Sequence, residues 1–336
     1  MAGVRTIRVM QSFGAPRPTT NPYIVMLRDS LVASPEVEHV PFSWRTALTG
    51  SYDVFHVHWP DTLLDARSPA RRMAKRLAFA GLLVRLRLRG TPVVRTVHNL
   101  TEPRGGAIDR RLVAALNRRI RMRIRINAAT PEVAGIPSVL APHGHYRNWY
   151  APMPRRERTT DHLGYVGLIK PYKGVENLVA AFEEAVAAQP GVSLRVQGRP
   201  ADDQVASWLR AAADRIPGLS LTLRYLDEEE FVAAVTESAL VVLPYRELHN
   251  SGAALAALSL DRPVLVPDND TTRALADEVG ADWVLTFTGE LTAATLRTAL
   301  ARVAEPPIEG PDLSARDWSE TAARHVDAYR KALGHA

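Results

Sequence analysis

A chain of 336 residues, 46% apolar and 23% charged, is long enough for two domains with separate cores and has a globular composition. Without a single cysteine it forms no disulfide, thiolate metal site or cysteine nucleophile, which fits a reducing cytoplasm. No apolar run approaches the roughly 20 residues that span a bilayer, and MAGVRTIRVMQSFG lacks a signal peptide's apolar core, so neither secretion by that route nor membrane integration is expected.

Residues 5–10, RTIRVM, read as a first strand. Gly14 follows in the polar loop QSFGAPRPTTNPY, without the glycine fingerprint of dinucleotide sites. Asn21, Pro22 and Tyr23 start a helix. Residues 52–60, YDVFHVHWP, form a short strand in which His56 and His58 share one face and Val57 takes the other. A zinc pair can have that spacing, but there is no cysteine and no clear third ligand nearby.

Residues 68–90 read as a basic amphipathic helix, capped by Ser68 and ended by Gly90. Met73, Leu77, Ala80, Leu83 and Val84 make its apolar stripe, and Arg71, Arg72, Lys75 and Arg76 gather toward its start. The stripe suits packing on a sheet, while the charged outer face suits an anionic membrane. Residues 92–99 form a strand ending in His98 and Asn99, with Glu102 in the loop before Gly105 and Gly106. A second basic helix is expected over residues 109–124. Between Arg67 and Arg125, sixteen arginines and one lysine stand against only Glu102 and Asp109, although the whole chain is just +6. Such a half points to an anionic partner, a membrane surface or a nucleic acid. Phe79 is the only aromatic among these cations, and strand-binding proteins interleave aromatics with charge, so nucleic acid is disfavoured.

Residues 138–144, SVLAPHG, followed by His145 and Tyr146, precede a linker-like stretch over 147–160. Residues 163–182, LGYVGLIKPYKGVENLVAAF, then read as strand, loop and helix, with Gly167, Lys170, Lys173 and Gly174 at the turn. Glycines let the backbone approach a ligand, a helix N-terminus favours an anion and lysine supplies compact positive charge for phosphate. Residues 193–198 form a strand ending at Gly198 and Arg199, and Asp227 with Glu230 forms a capping box. After strand 240–244 and Tyr245, the residues Asn250, Ser251 and Gly252 open a helix of small residues. Residues 314–333 form a last helix.

The spacing of Gly167, Lys173, Gly174, Leu178, Ala181 and Phe182 resembles the donor loop of GT-B glycosyltransferases. HVHWPD and VRTVHN resemble two strand ends of the same family, and the likeness runs along the whole chain. It implies an α/β fold of two Rossmann-like domains facing across a cleft: residues 1–150 for the acceptor, 151–312 for the nucleotide-sugar donor, and 313–336 returning to the first domain without chemistry. It further implies donor contacts from Gly167, Lys170, Lys173, Gly198, Arg199, Tyr245, Glu247, Asn250, Ser251 and Gly252. Gly14, His58, Asn99 and His145 would line the acceptor side, and Asp61, His98 and Glu102 are the candidates for a catalytic base. The chain departs from the retaining enzymes' glutamate pair: Ala256 stands at the second glutamate, Asp261 replaces a glycine, and Glu247 is out of register with the first. YRELHNSGA with ALSLDRPV looks more like GDP-mannose-dependent bacterial β-mannosyltransferases of exopolysaccharide assembly. The implied activity is inverting transfer of mannose from GDP-mannose to a glycolipid or lipid-linked saccharide at the inner face of the cell membrane, with no metal or other cofactor required. A retaining transferase and a sugar-nucleotide epimerase of the same fold remain as alternatives.

Overall fold

The computed structural model describes residues 5–17, 20–100, 105–246, 252–305 and 309–334. The chain forms two compact units, Met1–Gly144 with Ala315–Ala336, and His145–Ser314.

In the first unit β1 (Ile7–Gln11), α1 (Pro22–Val32), β2 (Val37–Val40), α2 (Trp44–Thr49) and β3 (Val54–Val57) lead to α3 (Pro69–Leu88). Then come β4 (Val93–Val97), α4 (Ala107–Asn117), β5 (Ile120–Arg125) and β6 (Ser138–Leu140). The strands make one parallel sheet in the order β2-β1-β3-β4-β5-β6. Asn21 caps α1 through the Tyr23 amide, and Ser68 caps α3 through that of Arg71.

Side chains alternate across each strand, so the sheet supports two cores. Met10, Phe55, Val57 and Val93 pack with Ala47 of α2, Phe79, Leu82 and Leu86 of α3, and Val113 and Leu116 of α4. The opposite face, with Ile7, Val9, Val54, Val94, Met122 and Ile124, packs on Tyr23, Leu27 and Leu31 of α1. It also packs on Trp318, Ala322, Val326 and Tyr329, which lie beyond the second unit in sequence.

Two expectations are corrected here. The second basic helix ends at Asn117, and IRMRIR is strand β5, because Ile120, Met122 and Ile124 alternate with arginines at a period of two. Of the named stripe of α3, Leu83 packs against the core, but Met73, Leu77 and Val84 do not. Phe79, Leu82 and Leu86 are buried, while Met73, Leu77, Val84 and Leu88 are 49%, 67%, 57% and 80% exposed on the opposite side. Burying a Leu or Phe is worth about 1.5–3 kcal/mol, and only the inner row collects it.

In the second unit α5 (Arg147–Tyr150) precedes β7 (His162–Val166), α6 (Val175–Ala188), β8 (Ser193–Gln197), α7 (Asp203–Arg215) and β9 (Leu219–Thr222). There follow α8 (Glu228–Glu237), β10 (Leu240–Val242), α9 (Gly252–Ser259), β11 (Val264–Pro267), α10 (Asp270–Val279), β12 (Val284–Phe287) and α11 (Ala293–Arg302). This parallel sheet runs β12-β11-β10-β7-β8-β9, and the Asp227–Glu230 capping box starts α8. Finally α12 (Trp318–Leu333) rejoins the first unit.

Asp261 adopts φ 56°, the left-handed conformation for which glycine is the usual residue. It ends α9: the Arg262 amide bonds the Ala257 carbonyl and the Asp261 amide that of Leu258, the paired pattern that closes a helix. The aspartate offsets the strain by accepting from Arg155 at 2.9 Å.

Candidate active site

In the first unit β3 and β4 lie side by side, with His56 opposite Val94. Period two therefore puts His56, His58, Thr96 and His98 on the face covered by α1 and α12. There the rings meet. His56 and His58 have centroids 4.2 Å apart, and His58 Nδ1 lies 3.0 Å from His98 Nε2. Trp59 stacks on His98 at 4.0 Å, and Tyr23 meets His98 at 5.2 Å and His143 at 4.6 Å. His56 Nε2 is 2.8 Å from Thr96 Oγ1, and its Nδ1 is 2.8 Å from the Tyr329 hydroxyl.

These imidazoles are neutral. Burial disfavours the charged form, and each proton placed on one ring repels the next. Burial lowers His58 to about 3, with His325 adding to the effect. It holds His56 and His98 well below the ordinary range, with His58 the strongest neighbour of each. The chemistry offered is that of neutral donors and acceptors on rigid strands. Among the described residues no group of three or more His, Cys, Asp or Glu side chains is placed to hold a metal ion.

Asp61 is half-buried on a short 3-10 turn after β3, near enough to Arg95 to counter the effect of burial on that guanidinium. Gly14 and Asn99 are exposed in the loops after β1 and β4. Glu102 lies outside the described residues. His145 folds with the second unit, where its Nδ1 accepts from the Arg147 amide at 3.2 Å, and it is His143 that touches Tyr23. Sequence reading missed Tyr23, Thr96, His143, His325 and Tyr329. Period two along β4 could have found Thr96; nothing local marks the others.

The second unit builds a different site. Lys170 and Lys173 flank a 3-10 turn between β7 and α6, and Gly174 takes φ 63° before the helix. A Cβ on Gly174 would lie 2.2 Å from the Pro244 carbonyl, so only glycine lets this turn close. At Gly198 a Cβ would come 1.8 Å from the Gly167 carbonyl, which keeps the β7 and β8 loops in backbone contact. Over Gly167 sits the Lys173 ammonium, donating to the Tyr245 hydroxyl at 3.1 Å and lying 4.6 Å from that ring's centroid. Burial, aided by the charge of Lys170, lowers Lys173 to about 8. Among the described residues no carboxylate forms an ion pair with it, and its partner is the Tyr245 side chain.

Arg199 is exposed beside this turn, and its carbonyl accepts from Ile169 at 2.9 Å. Gly252 begins α9, and a Cβ there would lie 3.4 Å from the Tyr146 hydroxyl. Glu247, Asn250 and Ser251 lie outside the described residues. Gly167, Lys170, Lys173, Gly198 and Tyr245 are thus brought together.

Residues 160–304 match the family model described as glycosyl transferases group 1. The chain is 41% identical over 336 residues to a GDP-mannose:glycolipid 4-beta-D-mannosyltransferase of Xanthomonas campestris pv. campestris, covering 99% of this chain and 95% of that protein. Among solved structures, a glycosyltransferase involved in avilamycin A biosynthesis has TM-score 0.57 at 15% identity, covering 98% of this chain and 99% of its own. Anabaena HepE in complex with UDP has TM-score 0.59 at 12% identity, covering 96% and 95%. These likenesses show the GT-B fold in the two six-stranded parallel sheets.

Proposed function

Since the chain belongs to the group 1 glycosyltransferases of GT-B fold, we propose that it transfers mannose from GDP-mannose to a hydroxyl of a glycolipid, with inversion. The observation that carries this reading is the 41% identity sustained over 99% of the chain. In the proposed step the acceptor oxygen forms a bond to the anomeric carbon while the bond to the diphosphate breaks. GDP leaves with the electron pair, and the acceptor's proton passes to His98.

Lys173 and the backbone around Gly167 and Gly198 bind the diphosphate and take up the charge that develops on it. Of the base candidates, His98 has its Nε2 engaged by His58 and an imidazole that is neutral before the step, so it can accept a proton. Its lowered basicity makes it a weak base in the free protein.

The acceptor class also gives the exposed face of α3 a role. Met73, Leu77, Val84 and Leu88 fall within one narrow strip, and α3 contains six arginines or lysines before residue 88 and no acidic residue. That is the pattern of a helix lying in a membrane interface. Its charge is partly committed, since Arg76 holds Asp109 at 2.7 Å and Lys75 the Asp65 carbonyl, so Arg71, Arg72 and Arg87 remain exposed. No helix among the described residues is long and apolar enough to cross a membrane.

The test supplies GDP-mannose, GDP-glucose and UDP-glucose separately with a short lipid-linked saccharide and follows mannoside formation and anomeric configuration by NMR. GDP-mannose should be preferred and the product should be β. An α product, preference for another donor, or turnover of GDP-mannose without acceptor overturns the proposal.

A further inference from the structure

Strands β7 and β10 are neighbours in the second sheet and run parallel, so the segments that follow them leave the same edge side by side. Those segments are keyed to one another in antiparallel order. The Arg246 amide donates to the Tyr172 carbonyl at 2.9 Å, and the Pro244 carbonyl fills the space that a Cβ on Gly174 would need. Between these two backbone contacts stands a side-chain contact, Lys173 on Tyr245. The Tyr245 amide also bonds the Leu243 carbonyl at 2.9 Å, and the residue is only 6% exposed, so its ring and hydroxyl are held from several directions.

Lysine has a long flexible stem and surrenders much rotamer freedom when its head group is fixed. Here the head group is fixed. An ammonium can only donate, so the Tyr245 oxygen is the acceptor, at 3.1 Å. The ring adds its face, with the ammonium 4.6 Å from the centroid and 3.6 Å from where a Cβ on Gly167 would stand. Burial, with the nearby Tyr172, holds the Tyr245 phenol above its ordinary range, so the partner is neutral. A neutral phenol fixes the ammonium and leaves its charge intact, whereas a carboxylate in the same place would cancel it. Among the described residues Lys170, Tyr165, Tyr172 and Glu176 are the other titratable groups around the pair, and Lys170 is the one whose charge acts on Lys173.

We propose that Tyr245 is a positioning residue, whose hydroxyl and ring hold the Lys173 ammonium above Gly167 before the donor arrives. The donor's diphosphate then meets a cation already in place, and the ordering cost of the lysine is not charged against binding. The functional half rests on Lys173 being the diphosphate ligand, as proposed above; the tethering of the lysine by Tyr245 does not.

The experiment uses the full-length protein with 13C-labelled lysine. The chain has four lysines, Lys75, Lys170, Lys173 and Lys331, so each Cε signal can be assigned and followed through a pH titration. In the wild type Lys173 should titrate near 8. Tyr245→Phe keeps the ring and removes the acceptor. It should move the Lys173 titration down by roughly one pH unit, because a hydrogen bond that favours the charged form is lost. GDP-mannose affinity, read by calorimetry without acceptor, should weaken roughly two-fold at pH 6 and roughly ten-fold at pH 8, since only the higher pH discharges the loosened lysine. Equal weakening at both pH values is what a merely structural tyrosine gives, and it overturns the proposal. So does an unmoved Lys173 titration in folded Tyr245→Phe, or a wild-type Lys173 that titrates in the ordinary lysine range. If the titration moves as expected while Lys173→Met binds GDP-mannose as tightly as wild type, the tether stands and the assignment of Lys173 to the diphosphate falls.

Discussion

The two units share a six-stranded parallel sheet but equip it with opposite chemistry. In the first, the side chains on one sheet face converge, and burial strips them of charge until His58 titrates near 3. In the second, the backbone converges at a strand-to-helix turn, and a single lysine keeps its charge beside a tyrosine. The difference teaches where each kind of group survives. Neutral imidazoles tolerate a closed interior because they pair with one another, whereas an ammonium needs a half-open turn where an anion can reach it.

The largest effect should come from the first unit. His98→Ala is expected to lower kcat by roughly 10²–10⁴, the usual range for general acid–base catalysis, while the donor Kd stays within about two-fold. Steady-state kinetics beside calorimetric donor titration checks this; equal loss in both would dissolve the contrast between the units.

Lys173→Met should act the other way, weakening donor binding roughly 10–100-fold, the equivalent of a charge-assisted hydrogen bond worth ~1.5–3 kcal/mol. The variant should melt no earlier than wild type, because burial already disfavours that charge. With Lys173 near 8, donor affinity should fall as pH rises through about 8, and this dependence should vanish in the variant. A pH profile unaltered by the substitution would assign the binding charge elsewhere.

Acid should separate the units next. Burial lowers His58 to about 3 and His143 and His325 to about 4, against 6.5 for a free imidazole. Below pH 6.5 the unfolded chain binds protons that the folded state refuses. The stability is therefore full above pH 6.5 and is lost as pH falls from there toward about 4. Each group contributes about 1.4 kcal/mol per pH unit, so three together approach about 4 kcal/mol per unit near pH 5. Hydrogen exchange at pH 5 should open the first unit first; simultaneous opening would show that the cluster takes up protons while folded.

The smallest effect concerns the outer row of α3 in the first unit. Replacing Met73, Leu77, Val84 and Leu88 with serine, or Arg71, Arg72 and Arg87 with glutamate, should reduce co-sedimentation with phosphatidylglycerol vesicles. Each basic residue accounts for about 1 kcal/mol near such a surface, and high salt should mimic the charge reversal. Recovery equal to wild type in both variants would confine α3 to the fold.

Much of this was legible in sequence because the signals were local. Apolar periodicity and capping residues marked α1, α3, α6 and α8, and the glycines and lysines of residues 163–182 marked the strand-to-helix turn that holds Lys173. The pairing of His56 with His58 on one face followed from strand period alone. The misreadings also had local causes. In RRIRMRI the arginines overrode an alternation that is β5, and in α3 two apolar rows coexist with nothing in the sequence to say which packs.

The sequence by itself determined the alternation of strands and helices, the two glycine-bearing turns of the second unit and the cationic character of the first. Tertiary structure alone decided that His325 and Tyr329 meet His56, residues more than 250 positions away in the chain. It also decided that Phe79, Leu82 and Leu86 are the inner row of α3, and that a cluster of imidazoles lies buried and uncharged. The physical reason is range. Backbone periodicity, caps and turns act within a few residues, so a local pattern encodes them, whereas burial and the charge it suppresses depend on which surfaces the folded chain brings together.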